Sequence, residues 1–157
     1  MNVVFSDELR MGTKTEHAQL EKKLVSNIKK ISAVTGYTSL LKLFYGFYQP
    51  LEQQLEPFLN GVLPDFADRR KAEFILRDLA TLGEDNAHYD LASDLPDIHS
   101  RATALGAAYV LEGSTLGGAI IAKMISGQLG VPVSGGFAFL QDMANVRCRC
   151  GSASAPA

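Results

Sequence analysis

The chain has 157 residues, which is enough for one domain with its own hydrophobic core and too few for two. Its hydrophobic content of 46%, its charged content of 20% and its net charge of −2 describe a globular protein and exclude a strongly charged binder of nucleic acid. The most apolar stretch, 102–125, is interrupted by Glu112, Lys123 and several glycines, so that no membrane span is expected.

Other short segments carry no targeting or metal signal. The N-terminal residues lack the charged start and the long apolar core of a signal peptide, so that a cytoplasmic location is the expectation. The basic triplet 69–71 is interpreted as part of a solvated helix face. Cys148 and Cys150 have no partner pair, whereas a thiolate metal site needs three or four ligands.

The spacing of apolar residues predicts a first amphipathic helix near the N-terminus. Leu9, Leu20 and Leu24 fall on one face, and the helix is expected to run from an N-cap at Ser6 to about Asn27. The segment is therefore predicted to pack that face against the rest of the molecule.

A second helix is predicted after Gly36, which breaks the pattern. Thr38 or Ser39 can cap it, and Pro50 is expected to kink or restart it. The run 51–59 keeps helical spacing until an Asn-Gly pair at 60–61 closes it.

The remaining pattern is also helical. Asp65 or Asp68 is expected to open a helix that ends at Gly83, with one apolar side formed by Ala72, Ile75, Leu76, Leu79 and Leu82. Residues 84–97 are predicted to be a loop, residues 100–129 a long helix and residues 137–143 a short final element. Because no alternating run of useful length occurs, the predicted class is all-α with five or six helices.

The long helix carries glycines where a helix tolerates them least. Each interior glycine costs about 1 kcal/mol relative to alanine. A turn of about 100° per residue places Gly106, Gly113 and Gly117 within an arc of about 40°. We call this set the glycine seam.

Charged residues of the same helix form a second set that is separate from the glycine seam. They recur every eleven residues, at Arg101, Glu112 and Lys123. This spacing predicts one solvated stripe. The seam, about 120° away from the stripe, is predicted to face inward, against another helix backbone or against a flat ligand.

His17 lies on the apolar face of the first helix, and its imidazole is predicted to point toward the core. It is either a hydrogen-bonded core residue or an iron ligand. Arg10 lies about 10 Å along the axis at nearly the same helical angle and could meet a ligand carboxylate. Glu21, one turn after His17, could hydrogen-bond the second ring nitrogen or could be surface charge.

Two motifs resemble those of haem oxygenases. Residues 9–21, Leu-Arg-Met-Gly-Thr-Lys-Thr-Glu-His-Ala-Gln-Leu-Glu, are similar to the proximal-helix pattern L-R-x-x-T-x-x-x-H-x-x-L-E of that family. Residues 109–118, Tyr-Val-Leu-Glu-Gly-Ser-Thr-Leu-Gly-Gly, resemble its distal helix, in the form of bacterial members that accompany bilin photoreceptors. The resemblance covers roughly residues 5–137.

The resemblance implies an all-α fold with haem between the first helix and a kinked glycine-rich helix. It implies that His17 is the proximal iron ligand and therefore the metal site. Gly113 and Gly117 would admit O₂ beside the porphyrin, and Arg10 and Tyr109 would contact the haem propionates.

The activity that the resemblance implies is an O₂-dependent oxidoreductase reaction that converts haem, both substrate and cofactor, to biliverdin, CO and iron. No nucleotide-binding fingerprint opens a strand-helix unit in this sequence, so that the electrons are expected from a separate reductase or ferredoxin. A bilin photoreceptor is a further candidate partner, as the receiver of biliverdin.

The sequence departs from the family pattern at two points. Ser114, which is assigned with Gly113 and Gly117 to the catalytic set, stands where well-studied relatives have an aspartate. The segment after Phe139 differs from the family's last helix and resembles a truncation or a shifted reading frame. The expected organisation is a haem-oxygenase-like domain over 1–143 that lacks this helix, followed by a disordered tail over 144–157.

Two alternatives to an active enzyme stay open. The chain could be a catalytically weak or inactive haem-binding protein of the same fold. It could also be a helical bundle that binds no haem and uses its glycines for packing alone.

Overall fold

The computed structural model describes residues 5–69, 71–84, 88–114, 117–132 and 135–141. Within these residues the regular elements are all helices, which confirms the all-α class. They are α1 (Phe5–Gly12), α2 (Lys14–Ile28), α3 (Val34–Leu59), a 3₁₀ turn (Ala67–Arg69), α4 (Ala72–Thr81), α5 (Arg101–Ser114) and α6 (Gly118–Leu129). The predicted tail, 144–157, lies outside the described residues.

The predicted first helix is two helices with a break at Thr13. The hydroxyl of Thr13 donates to the Leu9 carbonyl at 2.9 Å, a local bond that bends helices. Ser6 lies inside α1, so that its predicted role as N-cap is wrong. Towards its C-terminal end α2 joins the core through Leu24 and the fully buried Ile28.

Helix α3 begins earlier than predicted. Gly36 lies within its first turn, and the hydroxyls of Thr38 and Ser39 donate to the Thr35 carbonyl at 3.1 and 2.8 Å. Neither residue is therefore the N-cap. Apolar contacts along the length of the helix outweigh the weak helix preference of one glycine.

Helix α3 also continues through Pro50, so that the predicted restart at this residue is wrong. Proline has no N–H to donate to the Gly46 carbonyl four residues earlier. The Ala92 N–H donates to that carbonyl instead, at 2.8 Å. Residues 88–98, part of the predicted loop, thus satisfy a backbone group that the proline leaves open.

Helix α4 starts at Ala72, so that its predicted opening at Asp65 or Asp68 is wrong. The buried carboxylate of Glu52 in α3 accepts hydrogen bonds from the N–H groups of Lys71 and Ala72 and so supplies the cap from another helix. Leu76 is 38% exposed and does not belong to the predicted buried side.

The buried apolar residues form two clusters that follow one another along α3. The first joins α2, α3, α4, α6 and residues 137–140, and the second joins the C-terminal half of α3 to α5 and the loop before α5. Gly61, Gly83 and Gly130 have positive φ and follow α3, α4 and α6, which is the usual role of glycine after a helix.

Residues 137–141 are held firmly by the first cluster. The Phe137 ring stacks on the Tyr37 ring with centroids 4.7 Å apart, and the Tyr37 hydroxyl donates to the Gly136 carbonyl at 3.0 Å. The buried Asp78 carboxylate accepts from the N–H groups of Ala138 and Phe139 at 2.7 and 2.8 Å. A charged side chain of α4 therefore caps the short helical turn that was predicted at the end of the chain.

The predicted long helix is divided at the glycines into α5 and α6, whose axes differ by 42°. Ser100 and Thr103 cap α5 reciprocally, each hydroxyl accepting from the other residue's N–H, at 3.2 and 3.0 Å. No single helix among the described residues is long and apolar enough to cross a membrane, although α5 and α6 taken together would meet the requirement for length and composition.

Candidate functional site

Helix α5 packs on α3 through its small apolar residues. Ala104 is fully buried, and Ala107, Ala108 and Leu111 contact the same cluster. A turn of about 100° per residue places Gly113 about 180° from Ala104. The first two glycines of the seam, Gly106 and Gly113, therefore lie on the face of α5 that is turned away from the core.

The prediction that the glycine seam faces inward is wrong for its first two members. Gly106 and Gly113 are exposed, and a Cβ atom added to either would have no neighbour within 4 Å among the residues that the structure describes. Gly117, just before α6, is half-buried, and a Cβ atom there would contact only the Ile121 side chain, at 3.9 Å. Packing against another helix in the described part of the chain therefore does not explain Gly106 and Gly113.

The predicted solvated stripe is also interrupted. Arg101 and Lys123 are exposed, but the Glu112 side chain is only 25% exposed. The carboxylate of Glu112 lies 3.6 Å from a guanidinium nitrogen of Arg69, at the end of the 3₁₀ turn. Glu112 sits beside the Ala108 face, and packing of α5 on α3 brings it against this turn.

Apolar side chains surround the exposed glycines. Leu105, Tyr109 and Val110 in α5 are 40%, 49% and 64% exposed. On α6, Ile120 is 65% exposed in an open groove of about 470 Å³ that is lined by Ala119, Ile120, Lys123 and Met124. We call the outward side of α5 around Gly106 and Gly113 the glycine face.

His17 lies on α2, and its side chain is 66% exposed. The prediction that its imidazole is directed into the core is therefore wrong. The helical face is nonetheless the predicted one, because Leu24 and Ile28 on the same face enter the core further along α2. Leu20, between them and His17, is 66% exposed. The apolar face of α2 thus extends from the residues that pack in the core to the exposed residues Leu20 and His17.

Glu21 is placed beside His17 as the spacing predicted. One carboxylate oxygen of Glu21 lies 3.6 Å from Nδ1 of His17. Since Nδ1 faces Glu21, the other ring nitrogen, Nε2, points away from this carboxylate. An imidazole held in this way is suited to bind a metal through Nε2.

The other predicted site residues are accessible but are not gathered at one point. Arg10 is exposed on α1 and Tyr109 is half-exposed on α5. Within the described part of the chain, no hydrogen bond or ion pair joins His17 or Arg10 to Tyr109 or Gly113. Ser114 ends α5, and its side chain lies outside the described residues.

Four charged residues that sequence reasoning did not assign to a site meet behind the glycine face. Glu52, Arg69, Lys71 and Glu112 line a cavity of about 30 Å³. The Arg69 side chain is 24% exposed and Lys71 is 3% exposed, so that the interpretation of the triplet 69–71 as a solvated helix face is wrong for these two residues, while Arg70 lies outside the described residues. In the sequence, the break in helical spacing before Ala72 was the only sign that these charged residues do not lie on a solvated helix.

The described residues contain no group of three or more histidine, cysteine, aspartate or glutamate side chains that could hold a metal ion. Haem iron makes a smaller demand, because the porphyrin supplies four ligands and the protein needs to supply one imidazole. The exposed His17 and the apolar, glycine-lined side of α5 fit such a flat, apolar group.

The fold and these exposed faces define a class of all-helical protein with an accessible imidazole, that of His17, on an apolar helix face, and with a second exposed apolar surface that carries glycines. The family model for heme oxygenase matches residues 3–147, and the chain belongs to the heme oxygenase family. No curated protein and no solved structure is similar enough to count as a match.

Proposed function

We propose that the protein is an active haem oxygenase, which cleaves haem to biliverdin, CO and iron with O₂ and electrons from a separate donor. The observation that carries the proposal is the exposed His17 imidazole, with Glu21 beside Nδ1, in a chain of this family. Haem, as the substrate, would supply the iron at which O₂ is reduced.

His17 and Glu21 form the proximal side in this proposal. His17 binds the iron through Nε2, and Glu21 restrains the imidazole by attracting the Nδ1 proton. A neutral imidazole is a weaker electron donor than a thiolate and favours O–O cleavage less. The uncovered apolar face at Leu20 provides contact for the porphyrin.

Arg10 and Tyr109 are proposed to bind the propionates. Both side chains are accessible, and a guanidinium and a phenol can each donate to a carboxylate. A charge-assisted hydrogen bond of this kind contributes about 1.5–3 kcal/mol.

Gly113 and Gly117 are proposed to form the distal side. The absence of side chains at these positions lets the α5–α6 backbone approach the porphyrin and leaves a small space for O₂. Ser114 is proposed to hold an ordered water there, because a hydroxyl both donates and accepts hydrogen bonds.

The second candidate function is haem binding without turnover. It is favoured by Ser114, since a hydroxyl cannot supply the negative charge of the aspartate found in well-studied relatives. The reductase or ferredoxin, a bilin photoreceptor as receiver and a cytoplasmic location complete the proposal and are equally open to test.

Haem binding is tested by titration of the purified chain with hemin. The wild-type protein is expected to give the absorption spectrum of a histidine-ligated haem, and His17→Ala is expected to lose it. His99→Ala is the matched control, because the His99 side chain is also 66% exposed and lies 3.4 Å from a carboxylate of Asp97. Unchanged hemin spectra in His17→Ala would refute the ligand assignment.

Turnover is tested on the hemin complex with reductant, O₂ and product analysis after a single turnover. Formation of biliverdin and CO supports the enzyme, whereas a stable hemin complex without either product supports the second candidate. Failure to bind hemin at micromolar concentration would refute both.

A further inference from the structure

The inner side of α5 is linked to the rest of the protein by a charged contact directly next to the glycine face. One guanidinium nitrogen of Arg69 lies 2.7 Å from an Asp65 carboxylate oxygen, and the other lies 3.6 Å from Glu112. Arg69 therefore connects the segment after α3 to the last turn of α5. Both Arg69 and Glu112 are about three-quarters buried.

Glu112 immediately precedes Gly113 but points in a different direction. A rotation of about 100° separates consecutive side chains on a helix. Glu112 is therefore directed to the 3₁₀ turn while the exposed side of Gly113 is turned away from it. This geometry excludes Glu112 from direct contact with a ligand on the glycine face and lets it fix the backbone behind that face.

The surroundings strengthen the contact. Glu52 and Lys71, each 3% exposed, line the same cavity as Arg69 and Glu112. Charges in such a site are poorly screened by water and resist displacement more than surface pairs do. Since Glu52 also caps α4, one charged cluster relates α3, α4 and the end of α5.

We propose that Arg69 and Glu112 are positioning residues that set the distance between Gly113 and the haem plane and thereby control ligand access to the iron. This inference rests on the proposed function, because it assumes that haem lies on the glycine face. In this proposal Arg69 makes no contact with substrate and acts only by holding α5 in position.

The test compares Arg69→Ala, Glu112→Gln and the double variant, each loaded with hemin, reduced and treated with CO. The CO dissociation rate is expected to change by about two- to thirty-fold, the range known for substitutions that act on a site through packed neighbours. Because both single variants remove the contact between Arg69 and Glu112, the double variant is expected to change the rate by less than the product of the two single effects.

Arg77→Ala is the control, because Arg77 is exposed on α4 and its guanidinium lies over the Phe74 ring, 5.4 Å from the ring centroid. Its CO dissociation rate is expected to equal that of the wild type. Glu112→Gln is nearly isosteric and serves if Arg69→Ala does not fold, which far-ultraviolet circular dichroism reports.

The proposed function and the positioning role of Arg69 and Glu112 are refuted by different results. If the wild-type chain takes up no hemin through His17, the proposed function is refuted. If hemin binds through His17 and the CO dissociation rates of Arg69→Ala and Glu112→Gln equal that of Arg77→Ala, the positioning role is refuted and the proposed function stands. If the effects of the two substitutions on the CO dissociation rate simply multiply in the double variant, the proposal that Arg69 and Glu112 act through their shared contact is also refuted.

Discussion

Two helical glycines of this chain meet opposite constraints. A Cβ atom at Gly46 would lie 2.5 Å from the Asp90 carbonyl oxygen, which is closer than real Cβ contacts allow. A Cβ atom at Gly113 would meet no atom of the described residues within 4 Å. Gly46 is therefore required by the fold, whereas the fold by itself leaves Gly113 free to change.

This contrast predicts different outcomes for two alanine substitutions. Gly46→Ala is expected to reduce the free energy of unfolding by about 1–3 kcal/mol, because residues 88–92 must move. Gly113→Ala is expected to leave it unchanged or to raise it by up to about 1 kcal/mol, while altering the hemin spectrum or the CO dissociation rate. Urea denaturation measures the first quantity, and a marked loss of stability in Gly113→Ala would show that the glycine serves the fold.

Asp78 is a second residue whose role depends on the fold alone. It is 1% exposed and accepts two backbone hydrogen bonds from residues 138 and 139. Burial raises the pKa of Asp78 despite these two bonds, which lower it. Burial and then the charge of Asp78 raise the pKa of Tyr37, so that its hydroxyl stays protonated and donates to Gly136.

Asp78→Ala is expected to reduce the free energy of unfolding by about 1–3 kcal/mol, because two buried N–H groups lose their acceptor. Asp78→Asn should lose less, since the amide oxygen still accepts one bond. Denaturation followed by circular dichroism measures both variants. Equal stability of Asp78→Ala and wild type would contradict the capping role.

The raised pKa of Asp78 also predicts a pH dependence. The folded state binds more protons at this carboxyl than the unfolded state does, so that the contribution of Asp78 to stability falls as pH rises from about 3.8 through its folded-state pKa. The stability of wild type relative to Asp78→Asn should therefore decline as pH is raised above about 4. A relative stability that rises with pH would refute the direction of the shift.

At the scale of the elements, α2 differs from α3 in how much of it the protein covers. Residues 11–23 are exposed throughout, whereas α3 contributes buried residues along most of its length. Helix α2 packs in the core through Leu24 and Ile28. Just after α2, the Lys29 carbonyl accepts a hydrogen bond of 3.3 Å from the Gln128 amide of α6. Segments with few buried contacts open at low free-energy cost.

Amide hydrogen exchange is therefore expected to be fast in residues 14–23 and slow in the buried part of α3. If hemin binds between α2 and α5 as proposed, its addition should slow exchange in residues 14–23 of the wild type and of His99→Ala but not of His17→Ala. Mass spectrometry of peptides from these segments measures the difference. Equal protection of both helices without hemin would contradict the low stability of this segment.

At the scale of the whole molecule, the two hydrophobic clusters leave a separate set of apolar side chains outside. Many of these exposed residues lie on α1, α2, α5 and α6, for example Met11, Leu20, Val110 and Ile120, and others lie on α3, on α4 and in the loop before α5. Scattered exposed apolar residues are ordinary, but helices with adjacent exposed apolar faces favour a binding surface. An apolar ligand that covers these faces would stabilise the folded chain.

Hemin is accordingly expected to raise the free energy of unfolding in proportion to the logarithm of its free concentration. The gain is about 2.7 kcal/mol at a hundred times the dissociation constant. Thermal unfolding over a hemin series measures it, with His99→Ala behaving as wild type and His17→Ala losing most of the gain. A melting temperature that does not depend on hemin would contradict specific binding to the folded state.

The sequence alone predicted the helical class, most helical segments, the glycine stops at Gly61 and Gly83 and the neighbouring positions of His17 and Glu21. These features depend on the period of the helix and on the backbone freedom of glycine, which are local properties. The predicted roles of His17, Ser114 and the glycines in haem chemistry stay predictions.

The tertiary structure decided which face of each helix is covered, because burial depends on the partner that an element meets. It turned the glycine seam away from the core by packing α5 through Ala104 and Leu111, and it brought Glu112 to Arg69. It also carried α3 through Pro50, because Ala92 supplies the missing donor from a distant segment. Contacts between residues far apart in sequence leave no local pattern, and they alone settled these points.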